Sequence, residues 1–236
     1  GDAALIKASS KDTVLIKAVT DQLIEIDPRF ADRIEYSERL KNFDAVIATG
    51  SDNSSRYFEY YFGKYPHVIR KNRTSAAFLT GKESELELTQ LGSDVFSYFG
   101  LGCRNVSKLF VPEGYNFGEL FSAWELYKEI EHHHKYHNNY HYQKSILLVT
   151  QTPFLDNGFI LLQESERLVS PIAVVYYEYY DHNETLSLKL NAVSNKIQCV
   201  VGNSVFATVP FGSAQYPALG DYADEVDTMR FLQSIL

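Results

Sequence analysis

The residue with the plainest chemistry is Cys103, in the run Tyr98-Phe99-Gly100-Leu101-Gly102-Cys103-Arg104-Asn105-Val106. Two glycines just ahead of a thiol leave the backbone open, so a substrate carbonyl can approach closely. A thiolate attacks carbonyl carbon and also leaves well, which suits a covalent thioester or thiohemiacetal intermediate. The competing reading is a plain structural cysteine. The other cysteine, Cys199, lies in the apolar stretch Ile197-Gln198-Cys199-Val200-Val201 and is expected to be buried on a central strand.

Three further groups invite chemistry. His133, His137 and His141 follow i, i+4 spacing that would suit zinc or nickel on a helix. The same stretch is polar and rich in asparagine, so it is read as a solvated helix end and loop, and no metal is assigned. Tyr57, Phe58, Tyr60, Tyr61 and Phe62 suit either an acyl channel or a core face, and core is the preferred reading. Arg70, Lys71 and Arg73 suit a phosphate or a solvated basic loop equally well.

These residues need a scaffold, and the hydrophobic pattern supplies one. Strands are expected over 5–8, 34–36, 44–49, 76–79, 106–111, 146–150, 159–163, 172–180 and 198–202. Helices are expected over 14–26, 52–62, 83–98, 117–134 and 184–194. Residues 9–12 supply caps for the first helix, and Asp27-Pro28 stops it. This alternation predicts an α/β fold with largely parallel sheets. The order strand, Gly50-Ser51, helix is a βα turn that offers N–H groups to a phosphate, although the full GxGxxG pattern is absent.

Composition narrows the function. A chain of 236 residues can bury a sizeable core, and its formal charge of −8 argues against broad binding of nucleic acid or anionic membrane. No apolar run spans a bilayer and no signal peptide is visible, so no membrane span is expected. Two distant cysteines give no disulfide framework, which makes a reduced, cytoplasmic setting the default. Gly1 opens straight onto a strand with no Met, so the chain is expected to begin inside a larger protein.

Four segments, taken in order, resemble the aldehyde dehydrogenase superfamily. Lys7-Ala8-Ser9-Ser10 resembles its Lys-Pro-Ser turn, Thr49-Gly50-Ser51 its Thr-Gly-Ser turn, and Pro210-Phe211-Gly212 its Pro-Phe-Gly-Gly segment. Cys103 stands where that family has its catalytic cysteine. The text from Asp44 to Arg73 and from Gly100 to Lys108 is more similar to one branch, the acyl-CoA reductases related to the fatty-acid reductase of bacterial bioluminescence. The resemblance covers nearly the whole chain.

The resemblance implies an aldehyde dehydrogenase-like fold. Residues 1–78 would be the C-terminal part of a Rossmann-type cofactor domain, 79–209 the catalytic thiol domain, and 210–236 a segment returning to the cofactor half. It implies Lys7 and Ser9 at the adenosine ribose and Gly50 and Ser51 at the pyrophosphate. It implies NADPH, with NADH as the alternative, and an acyl-CoA or acyl-carrier thioester as substrate. An acyl-transferring partner protein and a homo-oligomer are further expectations. The implied activity is reduction of a fatty-acyl thioester to an aldehyde through a Cys103 acyl-enzyme. The alternatives are a CoA-acylating aldehyde dehydrogenase and a non-catalytic scaffold that kept the fold.

Two departures from the family sharpen this reading. Hydrolytic members carry a glutamate a short way after the Thr-Gly-Ser turn, where this chain has Val68-Ile69-Arg70-Lys71-Asn72-Arg73-Thr74-Ser75. A general base contributes about 10²–10⁴-fold, so its loss favours thiol exchange or reduction over hydrolysis. Glu83 and Glu164 are the carboxylates that could replace it. The oxyanion-hole asparagine and the first βαβ strands would lie upstream of Gly1, and losing one oxyanion donor costs roughly 10²–10³-fold. The chain alone is therefore expected to be slow or inactive. Cys103 and the Gly50-Ser51 turn are expected to open on a common cleft.

Overall fold

The computed structural model describes residues 2–9 and 12–235. The parts of the Lys-Ala-Ser-Ser turn and of the first helix cap that fall on Ser10 and Lys11 lie outside the described residues. The chain divides into two compact units, residues 1–70 with 229–236, and residues 71–228.

The first unit contains two strand–helix–strand repeats. β1 (Ala4–Ile6), α1 (Thr13–Ile26) and β2 (Ile34–Tyr36) form one, with β1 parallel to β2 and Ala4 opposite Ile34. β3 (Val46–Thr49), α2 (Asp52–Phe62) and β4 (His67–Arg70) form the other, again parallel, with Val46 opposite His67 and Thr49 opposite Arg70. Parallel neighbours require such a crossover, and here a helix supplies it. α1 stops at Asp27, which is extended (φ −143°, ψ 102°) because the following Pro28 excludes the α region. Thr20 is the buried residue of α1, whereas Val14 (80% exposed) and Ile26 (74% exposed) face outward.

The second unit is built on one mixed sheet. In chain order it has β5 (Thr74–Phe78), α3 (Glu85–Phe96), β6 (Val106–Pro112), α4 (Phe117–Trp124), α5 (His134–Val149), β7 (Leu155–Asp156), β8 (Leu161–Glu164), β9 (Val174–Tyr180), α6 (Asn183–Ala192) and β10 (Ile197–Val201). A short α7 (Thr228–Gln233) follows in the chain and, from Met229 on, belongs to the first unit. The strand order is β10-β5-β6-β9-β8-β7, parallel throughout except for the β7–β8 pair. This is the α/β, largely parallel arrangement the sequence pattern implies. Buried parallel strands read as continuous apolar runs, and all five residues of β5 are buried.

β6 shows how the two faces differ. Leu109 and Val111 join a core with Leu88 and Leu91 of α3 and Leu120 and Trp124 of α4. The Trp124 indole N–H donates to the Leu88 carbonyl (3.0 Å), tying α4 to α3. On the other face Phe110 packs with Ala76, Phe78 and Leu186 of α6. Lys108 shares that face and is wholly buried. Its ammonium donates to the Ser165 carbonyl and to Glu178 Oε2 (2.7 Å), while Lys189 of α6 takes Glu178 Oε1.

Three local expectations need correction. Residues 146–150 do not form a strand, because α5 runs through Val149 and buries Tyr136, Tyr140 and Leu147 on one face. The expected helix over 117–134 is α4, then a 3₁₀ stretch Glu125–His132, then a break at His133. Cys199 is buried (4% exposed), but β10 is an edge strand of the sheet, not a central one. No helix among the described residues is long and apolar enough to cross a membrane.

Candidate active site

Cys103 is presented by the connection from α3 to β6. A capping box starts α3: Ser84 Oγ accepts from Glu87 N, and the Glu87 carboxylate accepts from Ser84 N (2.7 Å). Beyond its end, Tyr98 (φ 52°), Phe99 (φ 60°) and Gly100 (φ 73°) are all left-handed, which turns the chain back sharply. Left-handed geometry costs non-glycine residues roughly 1–2 kcal/mol each. Phe99 is held there by stacking on the His133 ring, 4.0 Å between centroids at 28°.

The chain then closes a tight turn, with Asn105 N donating to the Gly102 carbonyl (3.0 Å). The Asn105 side chain, 1% exposed, fastens this turn to the end of α3. Its Oδ1 accepts from Gly102 N (2.8 Å), and its Nδ2 donates to the carbonyls of Ser97 (2.8 Å) and Asp94 (3.0 Å). Ser75 of β5 holds the other side, its hydroxyl donating to the Cys103 carbonyl (3.1 Å). With that hydrogen used, Ser75 Oγ accepts from Cys199 N (3.3 Å) and from the Cys199 thiol (3.1 Å). Burial pushes the Cys199 pKa up, so this thiol is kept protonated and inert.

The Cys103 side chain is exposed, and its backbone N–H has no acceptor among the described residues. An exposed thiol beside its own unpaired N–H is what acyl transfer at a thiol needs: a nucleophile, and a donor for the oxyanion it creates. Arg104 Nε donates to the Ala214 carbonyl. Asp94, wholly buried on α3, accepts from Gly212 N (2.7 Å) and Ala214 N (2.9 Å). The Pro210-Phe211-Gly212 segment thus sits beside the cysteine turn. Gly212 is left-handed (φ 78°), and a Cβ there would also press on Gln90 Cβ at 3.1 Å, so any other residue is strained at this position.

The two carboxylates held in reserve as a water-activating base lie at the wrong end of the sheet. Cys103 precedes β6 at its N-terminal end, whereas Glu164 ends β8 and Glu83 follows β5 at the C-terminal end. Glu164 is level with Leu109 through Tyr177, which puts it roughly 15 Å or more from Cys103 by strand geometry. Glu83 is also engaged, accepting from Thr80 N (2.6 Å) and Gly81 N (3.0 Å).

The residues expected at a cofactor, Lys7, Ser9, Gly50 and Ser51, belong to the first unit. Lys7 and Ser9 follow β1, and Gly50 and Ser51 follow β3, so both sets lie beyond carboxyl ends of parallel strands where ligands of α/β sheets bind. Lys7 and Ser9 are exposed, and Lys7 forms no ion pair with the described residues. The Ser9 carbonyl accepts from Asp12 N (3.0 Å). Ser51 is the N-cap of α2, its Oγ accepting from Ser54 N (3.2 Å). A Cβ on Gly50 would lie 2.8 Å from Phe58 Cε2 and 2.8 Å from Ser54 Cβ, so only glycine lets α2 start this close to the strand.

Other candidates resolve differently. Arg73 is neither a free phosphate ligand nor a solvated side chain, since it pairs with Asp224 (3.2 Å) and donates to the Ile197 carbonyl (3.1 Å). Tyr57, Tyr60 and Tyr61 are exposed and so are not core, while Phe58 and Phe62 are half-buried. The histidine segment is helix, not loop: His133 caps α5, and His137 packs edge-on against His141 (4.3 Å). No group of three or more metal-ligating side chains occurs among the described residues. Sequence reasoning missed Ser75, Asp94 and Asn105. For Asn105 a signal existed, because asparagine just after Gly-Cys-Arg is a turn-forming choice.

Comparison of the sequence with protein-family models and with curated proteins finds no match to either. Comparison of the structure with solved structures finds many. The fold is that of the aldehyde dehydrogenases. Δ-Pyrroline-5-carboxylate dehydrogenase from Mycobacterium tuberculosis, solved bound with NAD, matches over 85% of this chain and 46% of its own, with TM-score 0.57 and 12% identity. Aldehyde dehydrogenase 21 from Physcomitrella patens, in complex with the reaction product succinate, matches over 94% and 58%, with TM-score 0.60 and 10% identity. An NADP-dependent enzyme from E. coli matches over 88% and 55%, with TM-score 0.61 and 9% identity. The chain therefore spans about half the length of these structures.

Proposed function

We propose that this chain carries the catalytic thiol of an NAD(P)H-dependent acyl-thioester reductase that converts an acyl-CoA, or an acyl group on a carrier thiol, to the aldehyde. The observation that carries the reading is the exposed Cys103 thiol with its unpaired backbone N–H on an aldehyde dehydrogenase-like fold. The Cys103 thiolate attacks the thioester carbonyl, and its N–H donates to the oxyanion. The carbon–sulfur bond to CoA breaks, CoA leaves as a thiolate, and the acyl group stays on Cys103. The remoteness of Glu83 and Glu164 leaves neither poised to activate water, so the acyl-enzyme resists hydrolysis.

A nicotinamide cofactor, when bound, would supply the hydride, two electrons with their hydrogen, that takes the acyl carbon to the aldehyde level. The carbon–sulfur bond to Cys103 then breaks, which releases aldehyde and restores the thiolate. The Gly50-Ser51 turn fits such a cofactor: glycine keeps the turn free of a side chain, and the α2 N-terminus has backbone N–H groups beyond its capping bonds. We assign Gly50 and Ser51 to the pyrophosphate and Lys7 and Ser9 to the adenosine ribose, with NADPH favoured over NADH. The first unit then carries the cofactor and the second the thiol.

The decisive experiment is acyl trapping. Incubation with dodecanoyl-CoA should add one acyl group at Cys103, located by peptide mass, and Cys103→Ala should abolish it. The adduct should persist without cofactor and be discharged by added CoA. Because acylation is expected to be slow, an adduct that hydrolyses within the mixing time, or none on a folded protein even after prolonged incubation, refutes the assignment.

A further inference from the structure

We propose that Asp94 is a positioning residue for the Cys103 turn, acting through residues 212–214 and Arg104. The inference rests on the acyl-enzyme reading above and deepens it. The connections form one path. The buried Asp94 carboxylate accepts from Gly212 N (2.7 Å) and Ala214 N (2.9 Å), which fixes that segment to α3. The Ala214 carbonyl, its direction set by those bonds, receives Arg104 Nε. Arg104 follows Cys103 directly. Nothing about this path requires a charged group for packing alone. A carboxylate that is wholly buried is costly, and burial pushes its pKa up to about 6 against the opposing pull of the two N–H groups. A neutral apolar side chain would fill the space without that cost but could not receive both amides.

The other titratable and charged groups facing Asp94 are few. Tyr127, on the 3₁₀ stretch after α4, gives its hydroxyl to the Thr89 carbonyl (2.7 Å). Across the sheet edge stands Cys199 of β10, which feels Asp94 together with Cys103 and Arg104 of the turn, and Tyr127 feels Asp94 as well. Arg104 is the cation of this set, and its tie to Asp94 runs through Ala214, whose N–H bonds the carboxylate and whose carbonyl receives Arg104 Nε. When Asp94 takes a proton, one of its two acceptor sites becomes a hydroxyl. Residues 212–214 then lose an anchor, and the Ala214 carbonyl no longer holds Arg104 in place.

The test uses wild type, Asp94→Asn, Arg104→Gln and the double variant. Two rates are read at Cys103 by mass between pH 5 and 7.5: acylation by dodecanoyl-CoA and alkylation by iodoacetamide. Each single variant should lose about tenfold in acylation at pH 7.5, and the double variant no more than either, because both cut one path. The ratio of wild-type to Arg104→Gln acylation should shrink roughly fivefold from pH 7.5 to 5 as Asp94 protonates. Alkylation, which needs only an exposed thiol, should stay within about twofold between proteins. Additive losses, or alkylation falling in step with acylation, overturn the proposal. If Asp94→Asn does not fold, the pH dependence of the ratio to Arg104→Gln decides. If wild type is alkylated but never acylated, the acyl-enzyme reading fails. The Asp94 path is then judged by hydrogen exchange of the Asn105 amide, which closes the turn. Exchange at least fivefold faster in both single variants supports the path, and unchanged exchange refutes it.

Discussion

Asn105→Ala tests whether the cysteine turn is held by hydrogen bonds or merely by chain continuity. The side chain is 1% exposed and makes three well-formed bonds, from Gly102 N and to the Ser97 and Asp94 carbonyls, at 2.8, 2.8 and 3.0 Å. Each such bond contributes about 1 kcal/mol net, and a partner left buried without a bond costs about 1–3 kcal/mol. Gly102 N and Ser97 O lie nearest the surface and can recover water, while Asp94 O sits within α3. The expected loss is therefore about 3–4 kcal/mol. It is read as a drop in urea midpoint at constant slope, followed by tryptophan fluorescence of the buried Trp124. Asn105→Asp should be no better, because it keeps the acceptor for Gly102 N but turns an oxygen toward two carbonyls. A loss below about 1 kcal/mol for Asn105→Ala would refute the reasoning and show that water replaces the amide at no cost.

Further outcomes follow from the same logic. Lys108→Met should cost about 3 kcal/mol, since removing one partner of a buried pair strands the other and Lys189 compensates only in part. Burial pushes the Glu178 carboxyl up, but Lys108 and Lys189 outweigh it and hold it below the ordinary range. Its contribution is thus present above the usual carboxylate pKa and lost as pH falls through the lower folded value, and in Lys108→Met, where the lowering by Lys108 is gone, this acid-linked loss should be smaller than in wild type. Asp94 works in the opposite sense. Its pKa is raised by burial to about 6, so its contribution is full below the unfolded value and lost as pH rises through 6, a loss on the order of 3 kcal/mol. Stability curves at pH 4.5 and 7.5 should differ less in Asp94→Asn than in wild type. Gly50→Ala should destabilise the first unit by about 1–3 kcal/mol through the clash with Phe58 and Ser54, read as faster hydrogen exchange in α2.

The elements most legible in the sequence were those whose signals agree. The apolar run before Thr49, then Gly50 and the Ser51 cap, gave the β3–α2 turn because strand, breaker and N-cap coincide. Residues 146–150 misled because a short apolar run has no period to separate strand from helix. The helical signal lay upstream, in the spacing of Tyr136, Tyr140 and Leu147, and was obscured by the histidines and asparagines between them. At the site, Cys103 was visible as a residue type, whereas Ser75, Asp94 and Asn105 were not. Ser75 reads as one more small residue in a strand, and its two partners are distant in sequence. Asp94 looks like an ordinary exposed position on a helix until residues 212–214 cover it. Lys108 gave no warning either, because its counter-charge, Glu178, comes from β9, seventy residues on.

The pairing of one open thiol with one sealed thiol gives this protein a built-in opening gauge. Cys103 is exposed and Cys199 is 4% exposed on an edge strand whose thiol is donated to Ser75. A thiol reagent in excess should count one sulfhydryl quickly in the native state and the second only when β10 detaches from β5. The slow phase, measured against denaturant, reports whether that edge leaves alone or with the whole sheet. It does so without any label, and Cys103→Ala reduces the trace to the slow phase alone.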